Sequence, residues 1–321
     1  MRVLVTGATG FVGEHLVRAL LARGHTLRVL ARASSDTRAL EAQGIEIVRA
    51  SFGDAGGLRH ALRGMEAIVH AAGGGMALSR AEVFAANAGS TRALLDARDS
   101  KTLTRMVLVS SLAAHGPSRR GQPATERDAD APASSYGESK LEAERIAASS
   151  GVSALSLRLP ALYGPGEHRM VALYRSAKRG VIPMVHPHGE LSVLHGVDAA
   201  SAIASALSGP LVQGVLYVAD PTPISRRALA SAIAQAMGRP QVRVLSMPLP
   251  LLQLAAYGAD AAAKLRGRPL VLSRDKVRDL RAEHQACDPS AAMRSLDWRP
   301  EHDLVSGMLE ARRDYERRGW L

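Results

Sequence analysis

Two rhythms of apolar and polar positions run along this chain. Short, nearly unbroken apolar runs recur in "RVLVTGA", "TLRVLAR", "IEIVRA", "AIVHAAG" and "RMVLVSS", and each predicts a buried strand. Between several of them the apolar residues fall at helical spacing, as in "FVGEHLVRALLARG", which stops at Gly24. Strands and helices in alternation, with strands apolar on both faces, predict an α/β protein. Its core would be a doubly wound parallel sheet covered by helices on both sides. After about Pro165 the rhythm loosens into proline, glycine and short helical stretches, with two later strand-like runs, "SVLHGV" and "GVLYVAD". We therefore expect a first domain over 1–165 and a smaller, partly interleaved C-terminal region over 166–321. The stretch at about 191–220 is expected to return to the first domain.

Composition narrows this picture. With 321 residues, 46% of them hydrophobic and 22% charged, the chain can bury a sizeable core. Aromatics are only 3%, so that core must be aliphatic. The single cysteine, Cys287, excludes a disulfide framework within the chain and reads as a bystander. The opening "MRVLVTG" reads as a strand rather than a secretory signal, so a cytoplasmic location is expected, with membrane association left open. The formal charge is +11, yet the arginines are scattered and lack aromatic interleaving, so no nucleic-acid partner is expected.

Two short motifs carry chemistry. In "VTGATGFVG", Gly7, Gly10 and Gly13 follow a strand and open a helix. Glycines there allow a tight turn and let backbone amides meet a pyrophosphate at a helix N-terminus. The bland alternative is a plain strand-to-helix turn. In "SSYGESKLEAER", Tyr136 and Lys140 stand four apart and share a helix face. A phenol with a pKa of about 10 is a poor acid–base catalyst at neutral pH, and a neighbouring ammonium would lower it. The bland alternative is a solvated helix start capped by Ser134 or Ser135.

Together these motifs resemble the extended short-chain dehydrogenase/reductase family, whose members include NAD-dependent epimerases and dehydratases. The resemblance covers almost the whole chain. Asn87 and Thr91 fall in the family's NVxGT motif, and Ser111 in "VLVSSLAAHG" matches its serine, 25 residues before Tyr136. "LRLPALYGPG" and the C-terminal "CDPSAAMRSLDWRPEHDLVSGMLEARRDYERRGWL" also match, and the layout is nearest to the 3β-hydroxysteroid dehydrogenase/dihydroflavonol reductase branch. The resemblance implies a Rossmann-like cofactor domain and a smaller substrate domain. It implies catalysis by Ser111, Tyr136 and Lys140, with Asn87 serving either a proton relay or a local turn. Lys140 would also hold the cofactor ribose. The remaining cofactor contacts it implies are Gly7, Thr9, Gly10, Phe11, Val12, Gly13, Arg32, Ser35, Ser51, Phe52, Ala71, Ala72 and Leu159. Members of the family often pair as homodimers through a four-helix interface.

Departures from the family set the remaining expectations. Ala31 and Arg32 stand where NAD-using members usually place an acid, which favours NADP over NAD, with Ser34 and Ser35 as further donors. Arg32 could equally be a solvated loop charge, and Asp36 a helix cap. Ser51 replaces an aspartate that usually meets adenine, and Phe52 could pack on the base instead. Ala161 and Leu191 replace two residues that hold the diphosphate in nucleotide-sugar enzymes, with Arg169, Arg226 or Arg227 as possible substitutes. The apolar run Met247–Ala256, followed by basic residues, could line a greasy pocket, rest on a membrane surface or pack as an ordinary helix. His70 reads as a packed strand histidine, and His186 and His188 as loop residues rather than metal ligands. The expected activity is an NADP-dependent interconversion of a ketone and a secondary alcohol on a mainly apolar substrate, such as a keto-lipid. The alternative is a nucleotide-sugar epimerase or dehydratase that retains its NAD(P).

Overall fold

The computed structural model describes residues 1–99 and 101–321. Six strands build most of the main sheet: β1 (Arg2–Thr6), β2 (Thr26–Ala31), β3 (Glu46–Arg49), β4 (Ala67–His70), β5 (Arg105–Ser111) and β6 (Ser153–Leu159). Between them lie α1 (Phe11–Ala22), α2 (Arg38–Glu41), α3 (Ala55–Leu62), α4 (Arg80–Phe84), α5 (Ser90–Asp96) and α6 (Ser135–Ala148). One wide helical turn at Ala85–Gly89 joins α4 to α5.

The C-terminal half continues with β7 (Ala161–Tyr163), α7 (Val171–Lys178), β8 (Val181–Met184), β9 (Glu190–Leu191) and β10 (Val193–His195). Then come α8 (Gly196–Ser208), β11 (Gly214–Tyr217), β12 (Ile224–Ser225), α9 (Arg226–Ala236) and β13 (Arg243–Ser246). Four helices close the chain: α10 (Leu249–Arg266), α11 (Arg274–Leu280), α12 (Ser290–Ser295) and α13 (Leu304–Arg317).

The main sheet has seven parallel strands in the order β11-β6-β5-β4-β1-β2-β3. Its strand order reverses between β4 and β1, and a crevice at such a switch point is where this architecture binds ligands. Alternation along β1 explains the two covered faces. Val3 and Val5 join one core with Leu16, Leu20 and Ile203, while Leu4 joins the other with Leu58, Leu94 and Ile146. β11 forms the sheet edge beside β6, and α8 packs on α1, so residues 196–217 belong spatially with the N-terminal half.

A third core lies in the C-terminal half, where Tyr163, Tyr174, Ile182, Leu229, Ile233, Met308 and Tyr315 pack together. Three two-stranded pairs, β7–β10, β8–β13 and β9–β12, surround it. The run "SVLHGV" is only briefly a strand: β10 ends at His195, and α8 begins at Gly196. A Cβ at Gly196 would meet the Phe11 ring at 2.5 Å, so a glycine is what lets α8 close on α1.

Candidate active site

The glycine turn sits at the switch point. Gly7 has φ +74°, and a Cβ on it would fall 2.6 Å from the backbone of Ala71 and Ala72 at the end of β4. A Cβ at Gly13 would lie 2.1 Å from the Gly7 carbonyl, so this glycine brings α1 against β1. Gly10 is the N-cap of α1 and offers no side chain to its first amides, which suits a pyrophosphate. Thr9 is exposed, while Phe11 and Val12 are half-buried along this edge. The residues present therefore fit a dinucleotide.

The loop after β2 would face the adenosine end. Arg32 is exposed and Ser35 half-buried. Arg49 braces this loop, donating to the carbonyls of Ala33 and Ser35 and to Thr37 Oγ1. Asp36 is held by Arg38, whose guanidinium and amide pull its carboxyl down to about 2, while Thr37 takes the N-cap of α2. Asp36 thus pairs with the Arg38 guanidinium and also accepts from the first amide of α2, where Thr37 offers no side-chain bond. Ser51 is exposed. Phe52 packs against the sheet core and stands edge-on to His70, ring centres 5.7 Å apart. The Leu159 side chain is packed in the core beside Leu157 and Leu194, so any contact with the cofactor would fall to its backbone.

Residues that begin α6 are placed by tertiary contacts. Ser134 caps the helix, accepting from the Gly137 amide at 3.1 Å. Asp275 of α11 accepts from the amides of Ser135 at 2.8 Å and Tyr136 at 3.2 Å. This carboxylate also favours the helix dipole. A Cβ at Gly137 would lie 2.2 Å from the Ala113 carbonyl, so the glycine lets α6 press on the turn that follows Ser111. Burial raises the Tyr136 phenol above its ordinary value. The Ser111 hydroxyl and the Arg169 guanidinium beside it oppose that rise.

Lys140 behaves differently from the sequence expectation. Its Nζ donates to the Val109 carbonyl at 3.0 Å, and burial pulls its ammonium down to about 8. Arg169, whose charge also pulls the phenol down, is gripped by the buried Glu167 carboxylate through Nε at 2.8 Å and through Nη2. This pair was not legible in the motifs. Asn87 is spent on local structure: its Nδ2 faces Gly74 O, Val83 O and Ser139 Oγ, each at 3.0 Å, and its Oδ1 accepts from the Gly74 amide. Gly73 passes so close that a Cβ would lie 2.4 Å from Asn87 Oδ1 and 3.2 Å from Lys140 Nζ.

The histidines sort themselves. His70 is buried between Thr6 Oγ1 at 2.7 Å and Ser90 Oγ at 3.1 Å, and burial drops it to about 3, so it stays neutral and structural. His186 and His188 line a small cavity of about 360 Å³ with Met247 and Glu283. A different trio, His195, Asp198 and His302, comes within 4.8 Å. Its imidazoles stack nearly parallel, 18° apart, so their lone pairs do not converge on one ion. Asp198 already accepts from both the amide and Nδ1 of His302.

A cavity of about 460 Å³ opens beside Tyr136. Gly75, against which the Tyr136 ring packs, and Ser135 lie on its inner wall. The opposite walls come from α10 and α11, with Gln253, Ala256, Asp260 and Val277. Of the run Met247–Ala256, only Gln253 and Ala256 reach this cavity. Of the two positions where nucleotide-sugar enzymes hold the diphosphate, Leu191 is packed away in the third core, and of the possible substitutes Arg226 is buried and donates to the carbonyls of Ala282 and Glu283. Cys287 is buried, its amide held by Ser192 Oγ.

A glycine turn at the switch point and a serine–tyrosine–lysine set beside a cavity mark an NAD(P)-dependent reductase or dehydrogenase of the extended short-chain type. The family profile of the NAD dependent epimerase/dehydratase family matches residues 3–215, and the chain belongs to that family. It is 30% identical over 327 residues to the ceramide reductase of Caulobacter vibrioides, covering 99% of this chain and 96% of that one. It is 26% identical over 257 residues to the 2-alkyl-3-oxoalkanoate reductase of Stenotrophomonas maltophilia, covering 75% and 77%. The crystal structure of Thermus thermophilus UDP-glucose 4-epimerase in complex with NAD shares the fold. Its TM-score is 0.77 at 25% identity, over 98% of this chain and 99% of that one.

Proposed function

We propose that the protein reduces a ketone on a mainly apolar, long-chain substrate to a secondary alcohol, using NADPH, with Tyr136 as the proton donor. The observation that carries the ketone-reducing part of this reading is Tyr136, buried at the start of α6 beside a cavity whose walls mix apolar residues such as Leu270 and Val277 with the charges of Lys264, Arg274 and Arg281. No diphosphate-binding side chain stands at Ala161 or Leu191, and Arg226 is locked to backbone carbonyls. The relatives named for a ceramide and a 2-alkyl-3-oxoalkanoate support a keto-lipid.

The bound nicotinamide would supply the hydride to the carbonyl carbon. Ser111 would donate a hydrogen bond to the carbonyl oxygen and steady its developing charge. Tyr136 would give that oxygen its proton. A phenol held above its ordinary pKa by burial keeps its proton at neutral pH, which suits donation. Arg169, close to the phenol, would stabilise the phenolate left behind. Lys140, anchored to Val109 O, would hold the ribose with its remaining donors.

The test follows NADPH absorbance with long-chain ketones, steroids and flavonoid-like ketones beside nucleotide sugars. Net consumption with a long-chain ketone is expected. Conversion of a nucleotide sugar with cofactor retained and no net consumption would replace this reading with an epimerase. For the cofactor, Arg32→Ala should weaken NADPH by roughly 10- to 100-fold, one charge-assisted phosphate contact worth about 1.5–3 kcal/mol, and leave NADH nearly unchanged. Equal losses for both cofactors in a titration would remove Arg32 from 2′-phosphate recognition.

A further inference from the structure

We propose that the outer face of α10 and the turn after it form a docking surface for an anionic lipid bilayer, set beside the mouth of the cavity. Among the described residues, twelve large hydrophobic side chains are exposed, and six of them fall between 245 and 271. On α10 the exposure is ordered. Leu251, Leu254, Gly258, Ala261 and Leu265 recur at spacings of three and four and lie on one face, and all are exposed. Leu254 is 70% exposed and Leu265 90%. Ala256 and Ala263, the two buried residues of this helix, lie on the opposite side with the cavity wall.

Charge names the occupant. Residues 243–281 hold eight Lys and Arg against three Asp. The acids are engaged: Asp260 with Arg274, Asp275 with Arg278 and Asp279 with Lys276. Arg243, Lys264, Arg266, Arg268 and Arg281 have no carboxylate partner among the described residues; Lys264 and Arg281 line the cavity, which leaves the exposed Arg266 and Arg268 at the end of the stripe, with Arg243, to supply the fringe. An apolar stripe with a cationic fringe lies well in an anionic interface. A second copy of this chain would bring the same cations face to face, which disfavours pairing through this stripe. Among the described residues no helix is long and apolar enough to cross a membrane, so the helix would lie in the surface rather than span it.

The geometry also supplies a route. α10 presents its stripe outward while Gln253, Ala256 and Asp260 wall the cavity from within. In the turn after it, Leu270 lines the cavity and Val271 is exposed. A chain leaving the bilayer would pass this turn to reach Tyr136. This route rests on the lipid reading given above, whereas docking itself does not.

The experiment is co-sedimentation of the full chain with phosphatidylcholine vesicles, with and without phosphatidylglycerol, at rising salt. The expected result is capture by the phosphatidylglycerol vesicles, declining with salt, and little capture by phosphatidylcholine alone. Leu254→Glu with Leu265→Glu, and separately Arg266→Ser with Arg268→Ser, should each lower the partition at least about 10-fold. Neither pair lines the cavity, so turnover of a short water-soluble ketone and the melting temperature should stay at wild-type values. Equal capture of wild type and both variants, or no capture, would overturn the proposal. So would a concentration-dependent dimer that Leu254→Glu dissolves, which would make a second copy the occupant. Capture without turnover of any long-chain ketone supports docking and sinks only the lipid-substrate reading.

Discussion

Tyr136→Phe should lower kcat by about 100-fold or more and leave cofactor binding intact. The phenylalanine keeps the ring that packs against Gly75, so the wall of the cavity survives. It removes the hydroxyl that burial holds protonated between Ser111 and Arg169. Steady-state kinetics with a long-chain ketone, paired with NADPH titration by fluorescence, separates the two effects. Turnover near wild type would take Tyr136 out of the mechanism. A parallel loss of cofactor affinity would point instead to a displaced α6.

Glu144→Leu should be the most destabilising single change outside the catalytic set. Arg158 is buried, and its guanidinium is shared by three partners. Glu144 accepts at 2.6–3.2 Å, Asp130 at 2.6 and 2.8 Å, and the Tyr217 hydroxyl lies at 2.9 Å. Ser110 also donates to Glu144, so the cluster ties β5, α6, β6 and β11 together. Burial works against the Arg158 charge, yet the carboxylates of Glu144 and Asp130 hold it above its ordinary value. Taking Glu144 away leaves a buried cation half-compensated, at a cost of about 3–5 kcal/mol. That is a melting point lower by roughly 4–8 °C for a chain of this size. Glu144→Leu combined with Arg158→Met should recover part of the loss, because the stranded charge is gone. Calorimetry showing no drop for the single variant would mean that Asp130 alone satisfies the arginine.

Much of the candidate site could be read from local spacing. Gly7, Gly10 and Gly13 mark a strand-to-helix turn within seven residues, and Tyr136 and Lys140 share a helix face by helical periodicity. Ser134 as the cap of α6 follows the same local logic. Such features depend on backbone geometry over one or two turns, which neighbouring residues determine. The family resemblance extended this reach to Ser111, far from Tyr136 in sequence.

Other parts depend on contacts between distant segments, which no local pattern encodes. The Asp275 carboxylate reaches the amides of Ser135 and Tyr136 across 140 and 139 residues. The buried Glu167 carboxylate holds Arg169, and no motif in the sequence pairs the two with Tyr136. Arg226 was a candidate for an anionic ligand until its burial against Ala282 and Glu283 spent its donors. The run Met247–Ala256 had the same letters whether it lined a pocket, lay on a surface or filled a core.

By itself, then, the sequence determined the parallel α/β layering, the glycine turn and the helix that sets Tyr136 and Lys140 on one face, since each follows from short-range periodicity and steric rules. Only the tertiary structure decided which way α10 turns its leucines, which arginines are spent on carboxylates and carbonyls, and which carboxylate holds the start of α6. Those outcomes depend on burial and on partners brought close by folding. A side chain's solvation and electrostatic environment are properties of the packed molecule, not of its neighbours in the chain.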